Sequence, residues 1–337
     1  MAQRPTMHDV AAAAGVSQAV VSLVLSGSSA GRASETTAQR VRDAAAELGY
    51  RTNLQAKSLK TGVTEIIGLV GDEVATSPFS GMMIKGAQDR AWQDQHTLMT
   101  VDTGGDDGLE RAAIDTMLSH RVRGIIYTAM YHRELTVPAA ALDTRVVCLN
   151  ARDVDGRAPS VIPDEVTGGY EATRALLDAG HTRIGMINIH TSLPAATGRL
   201  EGYERALSEA GISRDPELIR PGDGTHRSGV RAIGDLLDLP SPPTAVFCGN
   251  DRTALGAYQA LSARGLEVPG DISIVGFDDQ DVLRDFFQPA LTTVQLPFTE
   301  MGDRAAALAL DAAAPAEVHL VHCPVIHRRS VGPPKGR

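Results

Sequence analysis

The chain has 337 residues, 43% of them hydrophobic and 22% charged, a balance that buries a real core and excludes disorder as the main state. No apolar run reaches the ~18 residues a membrane span needs. Residues Met1 to Asp9 lack the sections of a secretory signal, which points to the cytoplasm. The net charge of −9 is unevenly spread: residues 1–62 carry seven Lys/Arg against four Asp/Glu, and the remainder 25 against 37. A basic head on an acidic body suits a nucleic-acid reader joined to a second module. Three cysteines, Cys148, Cys248 and Cys323, stand far apart and suggest neither a disulfide framework nor a clustered zinc site.

Thr6 predicts an N-cap, followed at helical spacing by Met7, Val10, Ala11 and Ala14 and stopped by Gly15. Ser17 caps a second helix running to about Ser26, and the tight Gly turn between the two makes a helix-turn-helix candidate. On the second helix, Val20, Val21 and Val24 share the arc that packs on the first. Gln18, Ala19, Ser22 and Leu23 face outward. Such a face suits the major groove: Gln bonds the adenine edge bidentately, Ser bonds several bases, and Ala touches a thymine methyl. A third helix from Ser34 has Glu35 in its first turn, carries Ala38, Val41, Ala45 and Leu48 on one stripe, and stops at Gly49. By angle alone the three helices also fit a plain bundle without a ligand.

From about Thr64, strand-like and helical runs alternate. The predicted strands are 66–70, 97–101, 124–128, 146–150, 183–188, 244–248 and 272–277. The predicted helices are 82–95, 109–120, 168–179, 199–210, 228–237 and 254–264. This alternation predicts parallel sheets covered by helices on both faces, split into two subdomains with a break near 155–164. A final strand at about 291–296 and the helix after it are expected to cross back to the first subdomain. Ligands of open parallel sheets sit beyond the carboxyl ends of the strands. The polar residues there include Asp164, Arg199, Asn250, Asp251, Asp278 and Asp279, with Phe79 after the first strand. An Arg, an Asn and an Asp converging on one cleft suit a polyol, because between them they donate and accept in fixed geometry. Capping of a following helix is the competing role for Asp251 and Asp279.

The run Thr6-Met7-His8-Asp9-Val10-Ala11-Ala12-Ala13-Ala14-Gly15-Val16-Ser17, followed by Val21-Ser22 and Val24-Leu25-Ser26, resembles the N-terminal motif of the LacI/GalR family of bacterial transcription regulators. So does Ala44-Ala45-Ala46-Glu47-Leu48-Gly49-Tyr50. Asn53, Ala56 and Leu59 fit the family's hinge-helix pattern. Val20, Leu23, Ala38 and Thr52 depart from the commonest family residues, which bears on site preference and not on the docking mode. The resemblance continues through Ser77-Pro78-Phe79, Asp164 ahead of Gly168-Gly169-Tyr170, Gly198-Arg199, Gly249-Asn250-Asp251, Ile274 to Asp279 and Pro289 to Val294. It implies an all-α helix-turn-helix head and a periplasmic-binding-protein-like α/β body of two doubly wound parallel-sheet subdomains. Residues 1–50 would form the head and 51–62 the hinge. Residues 63–162 with 291–330 would form the N-terminal regulatory subdomain, and 163–290 the C-terminal one.

The resemblance further implies a homodimer that binds double-stranded operator DNA as a repressor. Thr6, Ser17, Gln18, Ala19, Ser22, Asn53, Ala56, Lys57 and Leu59 would meet DNA, with Leu59 wedged into the minor groove. Phe79, Asp164, Arg199, Asn250 and Asp278 would hold a small effector, a sugar or sugar derivative. Gly224 stands where an aromatic often stacks on the effector, and Leu193 and Ala195 lack the polar groups of purine-binding members. No P-loop or dinucleotide-binding glycine pattern opens a helix, so nucleotide chemistry is unsupported. Adjacent acids (Asp106-Asp107, Asp278-Asp279) and the His319, His322, Cys323, His327 group have poor spacing for one metal ion. The expectation is therefore neither enzyme nor metalloprotein, with no cofactor and no membrane partner. The alternative is a cytoplasmic sugar-binding receptor or sugar-processing protein without DNA regulation.

Overall fold

The computed structural model describes residues 5–25, 33–50, 62–74 and 80–335. The chain forms two compact units, Met1–Thr64 and Glu65–Arg337. In the first, α1 (Met7–Ala14) is opened by a capping box in which Thr6 and Asp9 bond each other's backbone, and closed by Gly15 at φ 64°. Then come α2 (Gln18–Leu25) and α3 (Glu35–Glu47), the latter capped by the Ser34 hydroxyl accepting from Thr37 N. Val10, Ala14, Val21, Val24, Ala38, Val41 and Ala45 fill the shared core. Leu48, expected on that stripe, is instead 39% exposed, because α3 ends at Glu47 and the chain turns at Gly49.

The second unit holds two six-stranded sheets. The first comprises β1 (Ile66–Gly71), β2 (Thr97–Asp102), β3 (Gly124–Leu135), β4 (Val146–Asp153), β5 (Ser160–Pro163) and, much later, β11 (Val318–Val321). Their order is β11-β5-β4-β3-β1-β2, and every pairing is parallel. The second comprises β6 (Ile184–Ile187), β7 (Ile219–Arg220), β8 (Ala245–Cys248), β9 (Ser273–Asp278), β10 (Thr292–Gln295) and β12 (Val325–Ile326), in the order β12-β10-β9-β8-β6-β7. Only β12 runs antiparallel to its neighbour. Helices α4 (Ser80–Gln93), α5 (Asp107–Ser119) and α10 (Phe298–Leu310) cover the first sheet. Helices α6 (Glu165–Asp178), α7 (Pro194–Glu209), α8 (His226–Leu237) and α9 (Asp251–Ala263) cover the second. Apolar clusters sit on each face of both sheets, as parallel strands buried on two sides require.

One expectation is corrected. The stretch 291–330 does not return to the first lobe as a block. β10 pairs in register with β9, Thr292 opposite Val275, so it belongs to the second sheet. The following helix α10 does cross, and β11 adds to the edge of the first sheet; β12 and the tail then return. Ser330 Oγ accepts from Thr292 N and donates to Ile274 O, fixing that tail on the second lobe. An apolar run announces a strand, whereas its sheet is decided by partners far away in sequence. The chain thus crosses between lobes three times, near 164, 296 and 322.

Among the described residues no single helix is long and apolar enough to cross a membrane. The α4–α10 contact is close enough that a Cβ on Gly302 would overlap the Met83 carbonyl oxygen, a backbone atom that cannot swing away. Gly302→Val should therefore lower body stability by about 1–3 kcal/mol, the usual cost of overpacking. Urea unfolding checks this; an unchanged midpoint would show that the two helices part without cost.

Candidate functional site

On α2 the outward face is polar and short. Gln18, Ala19 and Ser22 are exposed, whereas Val21 and Val24 are buried. Gln18 Nε2 rests 3.2 Å from His8 Nδ1 on α1. Ser17 Oγ accepts from Val20 N, and Thr6 Oγ1 is engaged with Asp9. The head thus presents one groove-sized helix face with a bidentate amide and a hydroxyl. Asn53, Ala56, Lys57 and Leu59 lie outside the described residues.

In the body, a cleft of about 400 Å³ opens where the two lobes face each other across the carboxyl ends of their strands. Its first-lobe wall comes from Tyr131, His132 and Asn150, its second-lobe wall from Glu165, Arg199, Asn250 and Asp278. Leu296 and Phe298 on a crossover close one side. Asn150, at φ 54°, donates from Nδ2 to the carbonyls of Ala129 and Met130, which fixes the strand end that carries Tyr131 and His132.

Arg199 is the centre of the floor. Its side chain is 4% exposed. Nε donates to Glu165 Oε2 at 2.7 Å, Nη1 donates to the Gly249 carbonyl and lies 3.6 Å from Asp278 Oδ1, and the guanidinium stacks 3.7 Å over the Phe277 ring. Small residues make this possible. A Cβ on Gly198 would lie 2.7 Å from Glu165 Cβ, and one on Gly202 would overlap the Val166 carbonyl, so α7 presses directly on α6. Across the cleft, His132 Nδ1 is buried and pairs with Glu165 Oε1 at 3.7 Å, beyond hydrogen-bond length, with no hydrogen bond to another described residue.

The carboxylates differ in charge state. Burial alone would raise Glu165, but Arg199, aided by His132, outweighs it and holds the carboxyl below its ordinary value. Asp278 goes the other way: burial pushes it up to about 6 despite Arg199. Asp251, behind the cleft, is raised by burial and by repulsion from Asp278. It accepts from Thr293 Oγ1 and Gln280 N, tying the start of α9 to the ends of β9 and β10. On the rim, hydrogen bonds from Thr225 and Ser228 hold Asp223 down to about 2.

Of the effector residues expected from sequence, Arg199, Asn250 and Asp278 meet at the cleft, and Phe79 lies outside the described residues. Asp164 is not among the lining residues; its carboxylate caps α6 by accepting from Thr167 N at 2.9 Å. Asn250 faces the cleft but is already engaged, accepting from Thr253 N and donating to the Gly224 carbonyl. Asp279 serves Arg328, Arg284 and Gln295 rather than the cleft. Sequence reasoning missed Glu165, His132 and Asn150. Glu165 could have been found as the second acid at the helix start after β5, while His132 sits on a strand extension that no alternation pattern announced.

A two-lobed α/β body closed over a polar cleft, in one chain with a helix-turn-helix head, is the build of a DNA-binding regulator with a ligand-binding module. Residues 6–53 match the model of bacterial regulatory proteins of the LacI family, and residues 64–326 that of periplasmic binding proteins and the sugar-binding domain of the LacI family. The Haemophilus influenzae ribose operon repressor is 35% identical over 297 residues, 88% of each chain. The lac repressor dimer bound to operator and the anti-inducer ONPF superposes with a TM-score of 0.75 at 27% identity, over 98% of this chain and 100% of that one. A complex of the regulator CelR with cellobiose gives 0.67 at 28% identity, over 97% and 100%. The chain belongs to the LacI family of bacterial transcription regulators.

An acid whose pKa is higher folded than unfolded holds more protons when folded, so its ionisation costs stability as pH rises from about 4 to 6. Asp278→Asn should therefore unfold at higher urea than the wild type near pH 7, with the gap closing near pH 4. Paired urea melts at the two pH values check it; a lower midpoint at neutral pH would show that Arg199 fully offsets the burial of this charge.

Proposed function

We propose that this regulator acts in the cytoplasm as a homodimeric repressor, reading operator half-sites through α2 and releasing or tightening its hold when a sugar occupies the cleft. It works by binding, without catalysis. The supporting observation is the coexistence in one chain of an outward Gln18-Ala19-Ser22 face and a cleft whose floor is a buried, pre-oriented Arg199 between acidic acceptors. Thr6, Ser17, Gln18, Ala19 and Ser22 carry contacts in the major groove. In the hinge segment with Asn53 and Ala56, Leu59 wedges into the minor groove and Lys57 contacts phosphate. Arg199, Asn250 and Asp278 hold the effector, and Phe79 is assigned to the same role by sequence; Asp164 contributes by starting α6. The relatives' sugar and operator complexes support the same assignment. A ligand shifts a two-state body only by its differential affinity for the two arrangements, about 1–3 kcal/mol in coupled systems.

Mobility shifts with duplex from upstream of the chain's own gene test the reading: salt-sensitive, sequence-dependent binding is expected, and none would favour a sugar receptor without DNA regulation. Gln18→Ala should cost about 1–3 kcal/mol at one base position and spare the others. Equal loss on every sequence would contradict base reading. Arg199→Lys keeps the charge but loses the planar fork, so charged hydrogen bonds worth about 1.5–3 kcal/mol each should vanish from effector titrations. An unchanged titration would place Arg199 outside the pocket.

A further inference from the structure

The charges around the cleft are not balanced for an anion. Its described lining carries three carboxylates, on Glu165, Asp223 and Asp278, against two guanidiniums, on Arg199 and Arg252, and no lysine. Arg199, the deeper of the two cations, is committed. Its Nε is given to Glu165, its Nη1 to the Gly249 carbonyl, and its plane is fixed on Phe277. Its Nε and Nη1 cannot turn to an incoming phosphate without abandoning the buried Glu165 carboxylate and the Gly249 carbonyl, which is costly. The close approach of α7 to α6 at Gly198 and Gly202 holds the backbones that carry Arg199 and Glu165 together. Glu165 is therefore placed to cancel the charge of Arg199, the deeper of the two cations that would attract an anionic ligand. His132 Nδ1, from the first lobe, stands 3.7 Å from Glu165 Oε1 and adds to the hold on that carboxylate.

We propose that Glu165 is a specificity-determining residue that makes the cleft accept uncharged sugars and reject sugar phosphates and sugar acids. This deepens the sugar reading above and rests on it. A phosphate carries about −1.5 to −2 charges at neutral pH and would enter a floor whose guanidinium is already neutralised. Loss of its hydration would then go uncompensated. A neutral polyol meets no such penalty: its hydroxyls donate to the carboxylates and bring no charge to be compensated.

The test is calorimetric titration of the full chain with matched pairs: D-ribose and D-ribose 5-phosphate, D-galactose and D-galactose 1-phosphate, D-glucose and D-glucose 6-phosphate. The expected result is binding of at least one neutral sugar, with its phosphorylated partner weaker by about tenfold or more. A phosphorylated member that binds as tightly as its neutral partner, or tighter, overturns the proposal. If no member of any pair binds, the sugar reading itself is rejected and this inference falls with it. Glu165→Gln, measured on the same pairs, should shrink the neutral-to-phosphate ratio about tenfold. A merely structural role would weaken both members alike and leave the ratio where it was, which would also overturn the proposal. Should that variant not fold, the wild-type ratio decides alone.

Discussion

A guanidinium buried at 4% exposure must be paired, and that requirement organises the second lobe. Arg199 draws its partners from three places: Glu165 at the start of α6, the carbonyl of Gly249 after β8, and Asp278 at the end of β9. Removing Glu165, the close ion-pair partner at 2.7 Å, would leave the guanidinium poorly compensated, whereas Asp278 stands 3.6 Å off and is the weaker partner. The glycines of α7 follow from this constraint, because a residue with a Cβ at 198 or 202 would hold α7 away from α6 and pull the fork from its acceptors. Asp278 and Asp279 follow as well: both adopt positive φ, at 113° and 52°, a backbone conformation that side-chain-bearing residues rarely take. Strain of that kind persists where the surrounding bonds over-determine it, and here they do.

The same arrangement supplies the function. Glu165 belongs to the second lobe and His132 to the first, and their 3.7 Å approach brings the two halves together beside the cleft. Three crossovers connect those halves, and Leu296 and Phe298 on one of them line the cleft itself. A ligand that touches both walls and a crossover changes the relative stability of open and closed arrangements. That differential is the only means by which it can alter grip on DNA. The buried Asp251 braces this region from behind, fixing Gln280 N and Thr293 so that β9, β10 and the start of α9 move together.

Much of this was readable before any coordinates. Caps at Thr6 and Ser34, the valine arc of α2 and the alternation of strand and helix all depend on neighbours a few residues away, and these local rules held. Arg199, Asn250 and Asp278 were found because strand ends point to clefts in open parallel sheets. What could not be read depends on distant partners. The sheet to which 292–295 belongs is settled by pairing with 275–278. Whether Asp164 or Glu165 faces the cleft depends on the direction from which α6 leaves the sheet, and the helix start claimed the first acid as its cap. Short strands such as 160–163 and 325–326 carry too few residues to show a period.

Thermodynamic reciprocity gives the account its most direct test. A sugar that stabilises the protein should be titrated into it by calorimetry, with and without a saturating operator duplex. The duplex should in turn be titrated by fluorescence anisotropy, with and without that sugar. The account predicts that the two affinities change by the same factor, about 5–150-fold, since one coupling free energy governs both. A sugar that binds at the same strength whether or not DNA is present, and leaves the DNA titration unmoved, would show that the cleft and the head do not communicate.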